Sequence, residues 1–412
     1  MTTLREDAKQ IIRRSIAEAM PDQAVRKALR QIHIGSGKLI LVAVGKAGWQ
    51  MASAASLQLG DRITAGICIT KYDHVKGDIP NVRCYEAGHP VPDANSITAA
   101  RQAEFMVQNL SKEDTVLMLI SGGGSALFED PKVPLEQLQD LTEQMLACGA
   151  DITEINVIRK RLSNVKGGRF AEQCKPARVY SIILSDVIGD QLDLIASGPT
   201  VLDHSTTEQA EEIVRKYHLH LSEAAQQALL IDLPAELNNS TAVMTGSVKQ
   251  LCTTAAEECR KLGYETQILT SSLTCEAREA GRFLSAIAKD HQTEEKSLAF
   301  ICGGETVVHL SGTGKGGRNQ ELALSAAEGL DGLKNTALLS VGSDGTDGPT
   351  DAAGGYVDQS TAELLRSQGV SIQDILREND AWHALKKCDG LIVTGPTGTN
   401  VNDLTVLLIK RN

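Results

Sequence analysis

The chain of 412 residues carries 41 Lys and Arg against 52 Asp and Glu, a formal charge of −11. That balance excludes a general nucleic-acid or anionic-membrane surface, so a small anionic ligand would need a locally basic pocket. At about 150 residues per domain the length predicts two or three domains with ample core. The 36 glycines and only 3% aromatic residues predict many tight junctions between strands and helices.

The nine cysteines, at 68, 84, 148, 174, 252, 259, 275, 302 and 388, form no C-x-x-C pair. Neither a disulfide framework nor a zinc site is expected from them, and a reducing cytoplasm fits their number. The opening residues contain no apolar h-region, and no stretch reaches about 18 consecutive apolar residues. The expectation is a soluble, unexported, cytoplasmic protein with no membrane or nucleic-acid partner.

Apolar positions at helical spacing (Ile11, Ile12, Ile16, Ala19, then Val25 and Leu29) with a break at Pro21-Asp22 predict two opening helices. Residues 38–44 read as a buried strand running into Gly45-Lys46-Ala47-Gly48 and a helix over 49–59. Lys46 then stands where a helix N-terminus already projects partial positive charge, which costs about 0.3–1 kcal/mol unless an anion answers it. Residues 65–70 and 82–87 predict further strands. The second leads into Gly88-His89-Pro90, and the prolines at 90 and 92 mark His89 as a structural turn residue.

A strand over 115–120 is followed by Ser121-Gly122-Gly123-Gly124-Ser125, whose successive N–H groups suit a phosphate or carboxylate. No G-x-x-x-x-G-K-[ST] sequence occurs in the chain. The basic run from Asn156 to Arg169 reads equally as a solvated helix face and as the lining of an anion pocket. The strand over 179–184 ends at Ser185-Asp186, with Asp190 close behind. An acid there suits a metal ligand or base, with helix capping as the competing reading. The polar, proline-containing stretch 232–240 marks a boundary and a candidate hinge, giving domains 1–238 and 239–412.

A second alternation of strands and helices begins at Thr241. Residues 298–302 end in Gly303-Gly304-Glu305, and a second apolar run over 306–310 ends in Gly312-Thr-Gly-Lys315-Gly316-Gly317-Arg318. A helix starts at Asn319, and a third run over 337–341 stops on Gly342-Ser343-Asp344. Strands that stop on glycines and acids describe a crevice at their carboxyl ends. Arg318 supplies a forked cation, and the acids are of the type that holds a divalent metal. Gly312, Gly314 and Gly317 also match the dinucleotide pattern G-x-G-x-x-G, but no acid closes a second strand about 20 residues on. Lys315 and Arg318 crowd that loop, and their charge suits an anionic substrate or a transferring phosphate better.

Nine ordered motifs carry a resemblance. They are Val44-Gly-Lys-Ala-Gly48, Gly88-His-Pro-Val-Pro-Asp93, Ser121-Gly-Gly-Gly-Ser-Ala126, Lys166-Gly-Gly-Arg169, Leu184-Ser-Asp-Val187, Ala196-Ser-Gly-Pro-Thr200, Gly303-Gly-Glu-Thr306, Gly316-Gly-Arg-Asn-Gln-Glu321 and Ser343-Asp-Gly-Thr-Asp-Gly-Pro349. From first helix to last strand the chain resembles the glycerate 2-kinase family, whose C-terminal half is called the MOFRL domain and some of whose members carry the older label hydroxypyruvate reductase.

The resemblance implies two α/β domains, the first a Rossmann-like three-layer α/β/α sandwich, with an interdomain active-site cleft. It implies ATP-dependent phosphorylation of D-glycerate at its 2-hydroxyl with Mg²⁺, in a monomer or a homodimer. By the same resemblance Lys46, Arg318 and Asp186 are catalytic, and Asp186 and Asp344 are the acids that hold Mg²⁺ or orient the attacking hydroxyl. Binding of ATP and glycerate is expected at Ser121, Gly122, Gly123, Gly124, Ser125, Lys166, Gly303, Gly304, Lys315, Gly316 and Gly317. Two alternatives stand beside this: an NAD(P)H-dependent hydroxypyruvate reductase, and a kinase of another small sugar acid.

Overall fold

The computed structural model describes residues 3–411 except 186 and 190. The chain forms two compact units, one of residues 21–245 and one of residues 1–20 with 246–412. Each is an α/β unit built on one six-stranded sheet.

The first sheet contains β1 (Leu39–Val44), β2 (Ala65–Lys71), β3 (Val82–Ala87), β4 (Thr115–Ile120), β5 (Arg178–Leu184) and β6 (Ser240–Gly246). Its order is β3-β2-β1-β4-β5-β6, that of dinucleotide-binding folds, and β3 through β5 run parallel. Every residue of β1 and β4 is buried, as continuous apolar runs covered on both faces require. Ile40, Val42 and Val44 join Ala99, Ala100 and Ala103 of helix Ala94–Met106 in one core cluster. Helix Gly48–Leu59 packs against β1, β2 and β4. A satellite core joins helices Leu135–Ala147, Ile152–Arg161, Thr207–Tyr217 and Glu223–Leu229.

The second sheet contains β7 (Glu265–Leu273), β8 (Leu298–Gly304), β9 (Thr336–Gly342), β10 (Gly354–Asp358), β11 (Leu391–Ile392) and β12 (Asp403–Ile409), in the order β11-β10-β9-β12-β8-β7. Only β7 and β8 pair in parallel, whereas β12 runs antiparallel between β8 and β9. Helices Ala277–Asp290 and Arg318–Leu330 supply much of the core on one face.

These units divide the sequence differently from a cut after residue 238. The first helix, Leu4–Glu18, belongs with the second sheet because its buried Asp7 accepts hydrogen bonds from the Tyr264 hydroxyl at 2.6 Å and Lys410 Nζ at 2.7 Å. At the other end, β6 completes the first sheet. Residues 232–240 are bound into that unit: Asn239 Nδ2 donates to the Ala171 and Ala177 carbonyls at 2.9 and 3.0 Å, and Leu233 and Leu237 lie over Gly167 and Gly168. The strand expected over 306–310 does not form. Val307 makes one isolated bridge to Glu276, since this stretch finds no strand to pair with along its length.

Candidate active site

In the first unit strand order reverses between β1 and β4, the switch point at which open α/β sheets bind ligands. The loops leaving these two strands are laced together. Lys46 N donates to the Gly122 carbonyl at 2.8 Å, and Ala47 N donates to Ser121 Oγ at 3.0 Å. Gly45, at φ +113°, lies so close to Ser121 that a Cβ would collide with its hydroxyl. The Lys46 carbonyl is held from the other side by His74 Nδ1 at 3.0 Å, and the backbone N–H groups of His74 and Val75 donate to Glu86 Oε1. The Lys46 peptide is therefore fixed while its side chain is half-buried.

His89 belongs to the same patch. A Cβ on Gly123 would stand 3.0 Å from His89 Cδ2 and 3.2 Å from Lys46 Cγ, so these two side chains converge where glycine leaves room. Burial first, then the charges of Lys46 and Lys71, hold the His89 imidazole below its ordinary value, so it is neutral at pH 7. The Gly122 and Gly123 N–H groups donate to no acceptor among the described residues. Gly124 and Ser125 rest on the turn at 195–198, where Ser125 Oγ meets Ser197 Oγ at 3.0 Å. Ala196 and Ser197 hold left-handed backbone there, at φ +52° and +57°, a cost of order 1–3 kcal/mol each of the kind found at functional sites. Asp186 lies outside the described residues, as does Asp190.

The basic run resolves into neither of its two expected forms. Lys160 pairs with Asp193 and Asp203, Arg161 donates to the Leu229 and Ser205 carbonyls, and Arg169 donates to those of Lys160, Ile231 and Asp232. Lys166 is fully buried, 2.8 Å from Glu129 Oε2, and donates to the Phe128 carbonyl at 2.8 Å. Burial pushes its ammonium down to about 8, with Glu129 opposing. It presents no surface to a ligand.

In the second unit the antiparallel course of β12 decides the chemistry. Its first residue, Asp403, pairs with Gly304 at the end of β8 and with Gly342 at the end of β9. An acid thus stands between the two glycine-terminated strand ends, β8 and β9. Arg318 opens helix Arg318–Leu330 and grips Asp403 with both arms, Nε to Oδ2 at 2.6 Å and NH2 to Oδ1 at 3.0 Å, while its NH1 meets Glu305 Oε1 at 3.2 Å. Burial alone would lower the guanidinium, but the hydrogen bond to Asp403 and the charges of Asp403, Glu305 and Asp347 raise it further. Arg318 stays charged at any accessible pH. Asp347 accepts from the backbone N–H groups of Asn319 and Gln320 at 3.1 and 2.9 Å and so caps that helix. Burial raises its carboxyl to about 6 against these donors.

Asp344 is half-buried, and its Oδ1 accepts from Thr346 N at 2.9 Å. A Cβ on Gly342 would lie 2.8 Å from the Thr346 carbonyl oxygen, 3.2 Å from Asp344 Oδ1 and 3.5 Å from Asp403 Oδ1, so the two carboxylates approach one another beside Gly342. Gly303 and Gly304 are strand residues paired with Leu404 and Asp403, not loop donors. Gly316 and Gly317 do offer N–H groups with no acceptor among the described residues, beside Arg318. The preceding loop is closed: Gly312 N donates to Asn379 Oδ1, Gly314 N to the Glu378 carbonyl and Lys315 N to Asp380 Oδ1. Lys315 Nζ lies 4.1 Å over the Trp382 ring.

Three contributors carry no signal in the sequence. Asp403 begins a strand instead of ending one, and only the antiparallel register brings it to the site. His74 and Glu86 act through backbone contacts that no motif reports.

The fold and these two sets of groups define an α/β enzyme equipped with cations and open N–H groups for anionic small molecules. A domain of unknown function (DUF4147) matches residues 7–230, and the MOFRL family matches residues 298–403. The chain is 50% identical to the D-glycerate 2-kinase of Thermotoga maritima, covering 99% of each chain. It is 38% identical to the glycerate 2-kinase of Pyrococcus horikoshii over 98% of this chain and 97% of that one. The crystal structure of the Thermotoga maritima glycerate kinase superimposes with a TM-score of 0.95 over 99% of both chains. Relatives from Agrobacterium vitis whose names include hydroxypyruvate reductase match at 38% and 36% identity. The chain belongs to the glycerate 2-kinase family.

Proposed function

We propose that this chain transfers the γ-phosphoryl group of ATP to the 2-hydroxyl of D-glycerate. The observation that carries this reading is 50% identity, over 99% of both chains, to a protein named D-glycerate 2-kinase. The geometry supports it. Phosphoryl transfer is catalysed mainly by positioning and by neutralising charge, and two anions must be held, a triphosphate and a carboxylate. Lys46 with the N–H groups of Gly122 and Gly123 forms one receptor, and Arg318 with those of Gly316 and Gly317 forms another. Neutral His89, beside Lys46, is placed to accept a hydrogen bond from a substrate hydroxyl.

Among the described residues no group of three His, Cys, Asp or Glu side chains is placed to hold a metal. Mg²⁺ needs fewer, because it commonly takes one or two carboxylates together with substrate phosphates. Asp344 and Asp403, which approach one another beside Gly342, are the acids that would hold it, Asp403 through oxygens it shares with Arg318. When bound, Mg²⁺ would neutralise phosphate oxygens during transfer. Turnover is therefore expected to vanish after exhaustive chelation and to return with Mg²⁺ or Mn²⁺; full activity in chelator would remove any metal role from Asp344.

The reductase alternative needs the Gly312 loop to receive a pyrophosphate, yet the N–H groups of Gly312, Gly314 and Lys315 are already engaged by residues 378–380. One assay decides between the readings. Purified protein with D-glycerate, ATP and Mg²⁺ is expected to release ADP, and protein with hydroxypyruvate and NAD(P)H is expected to leave the nicotinamide absorbance unchanged. Nicotinamide oxidation without ADP release would overturn the kinase reading.

A further inference from the structure

We propose that Cys68 and Cys84 form an oxidation site, a thiol pair that hydroperoxides convert reversibly into a disulfide. The two residues are register partners on the parallel strands β2 and β3, so their side chains leave the same face of the sheet. Neighbouring strands lie about 4.7–4.9 Å apart, and disulfides span Cα separations of about 4.4–6.8 Å. The bridge therefore needs side-chain rotation and little backbone movement. Because β3 is the edge strand, it can take up what adjustment remains.

The pair is asymmetric. Cys68 is fully buried, whereas Cys84 is only half-buried and open to a small oxidant. The neighbouring Cys68 thiol holds the Cys84 thiol below its ordinary value, against burial and the charges of Asp78 and Glu86. Thiolate character of this kind selects the sulfur that peroxide attacks. The Cys84 thiolate takes one peroxide oxygen as sulfenic acid, and the alcohol leaves, or a water when the oxidant is hydrogen peroxide. The Cys68 sulfur then attacks the sulfenic sulfur, loses its proton and displaces the hydroxyl as water. Two thiols give up two electrons and two protons, and one hydroperoxide is reduced to water and an alcohol, or to two waters when it is hydrogen peroxide.

The site is tied to the proposed machinery. Two residues beyond Cys68, Thr70 Oγ1 donates to the Lys46 carbonyl at 3.4 Å, and two residues beyond Cys84, Glu86 holds the 74–75 segment whose His74 meets the same carbonyl. The adjustment that β3 makes to the bridge therefore reaches Glu86, one of the two supports of Lys46. The activity arm below rests on the kinase reading, while the chemical arm does not.

The test uses the full chain with exposed Cys148 and Cys275 replaced by serine, to remove background oxidation. Hydrogen peroxide is expected to cost about two thiols per chain and yield a peptide joining Cys68 to Cys84, with dithiothreitol reversing both. Kinase turnover is expected to fall severalfold and to return on reduction. A Cys84→Ser variant should lose no thiol pair and keep its turnover in peroxide. Oxidation of Cys84 to sulfinic acid with no joined peptide would overturn the site, whatever the chain's activity. A joined peptide with unchanged turnover would overturn its coupling to Lys46.

Discussion

Lys46→Ala is expected to keep the fold and lower kcat about 10²–10³-fold, the effect of removing one preorganised donor aimed at developing charge, about 2.7–4 kcal/mol. The fold should survive because the peptide is what the structure holds. Its N–H goes to the Gly122 carbonyl and its own carbonyl takes His74 and Thr70, contacts that alanine retains. The side chain itself is half-buried and makes no ion pair among the described residues, so its removal leaves no buried charge without a partner. The change should also raise the His89 imidazole toward its ordinary value, because Lys46 is one of the charges that depress it. Steady-state kinetics, with the thermal midpoint and the His89 titration followed by NMR, check all three. Turnover within about threefold of wild type, under 1 kcal/mol, would make Lys46 a solvated turn residue.

The half of the site around Lys46 is legible in the sequence because each of its parts is a local signal. An apolar run of strand length stops on glycines, and a parallel sheet places the end of each such run at one rim. Even there His89 reads as structural, since its closeness to Lys46 comes from the adjacency of β1, β2 and β3 and from no feature of its own neighbours in sequence. The basic run at 156–169 shows the opposite failure. Its charges look like a surface or a pocket because their partners, Asp193, Asp203 and Glu129, lie 33 to 43 residues away and carry no pattern that pairs them. The first helix is likewise assigned by Asp7, whose partners Tyr264 and Lys410 lie in the far half of the chain. The apolar run 306–310 has a strand's composition without a strand's partner, and composition cannot report the difference.

Arg318→Met is expected to abolish most turnover and also to destabilise the second unit by about 3–5 kcal/mol, the usual result of leaving a buried charge without its partner. Asp403 is 5% exposed, and both of its oxygens are held by Arg318. Its carboxyl is already raised by burial, with Arg318 pulling it back. The guanidinium is itself 34% exposed, which places the stability loss toward the lower end of that range. Arg318 thus has two separable tasks: joining the start of its helix to β12, and presenting a charge beside Gly316 and Gly317. Arg318→Met/Asp403→Leu separates them. With both charges gone the apolar pair should recover most of the lost stability, since such replacements are often neutral or better, whereas turnover should stay lost because neither the cation that meets the anion nor the Asp403 carboxylate proposed to hold Mg²⁺ remains. Urea unfolding and hydrogen exchange at β8 and β12 report the first task, and kcat/KM for glycerate and for ATP reports the second. Recovery of turnover in the double variant would show that Arg318 serves only to hold Asp403 and that Asp403 holds no metal. A single variant as stable as wild type would instead mean that Asp403 is satisfied by water, leaving the guanidinium to be judged on its charge alone.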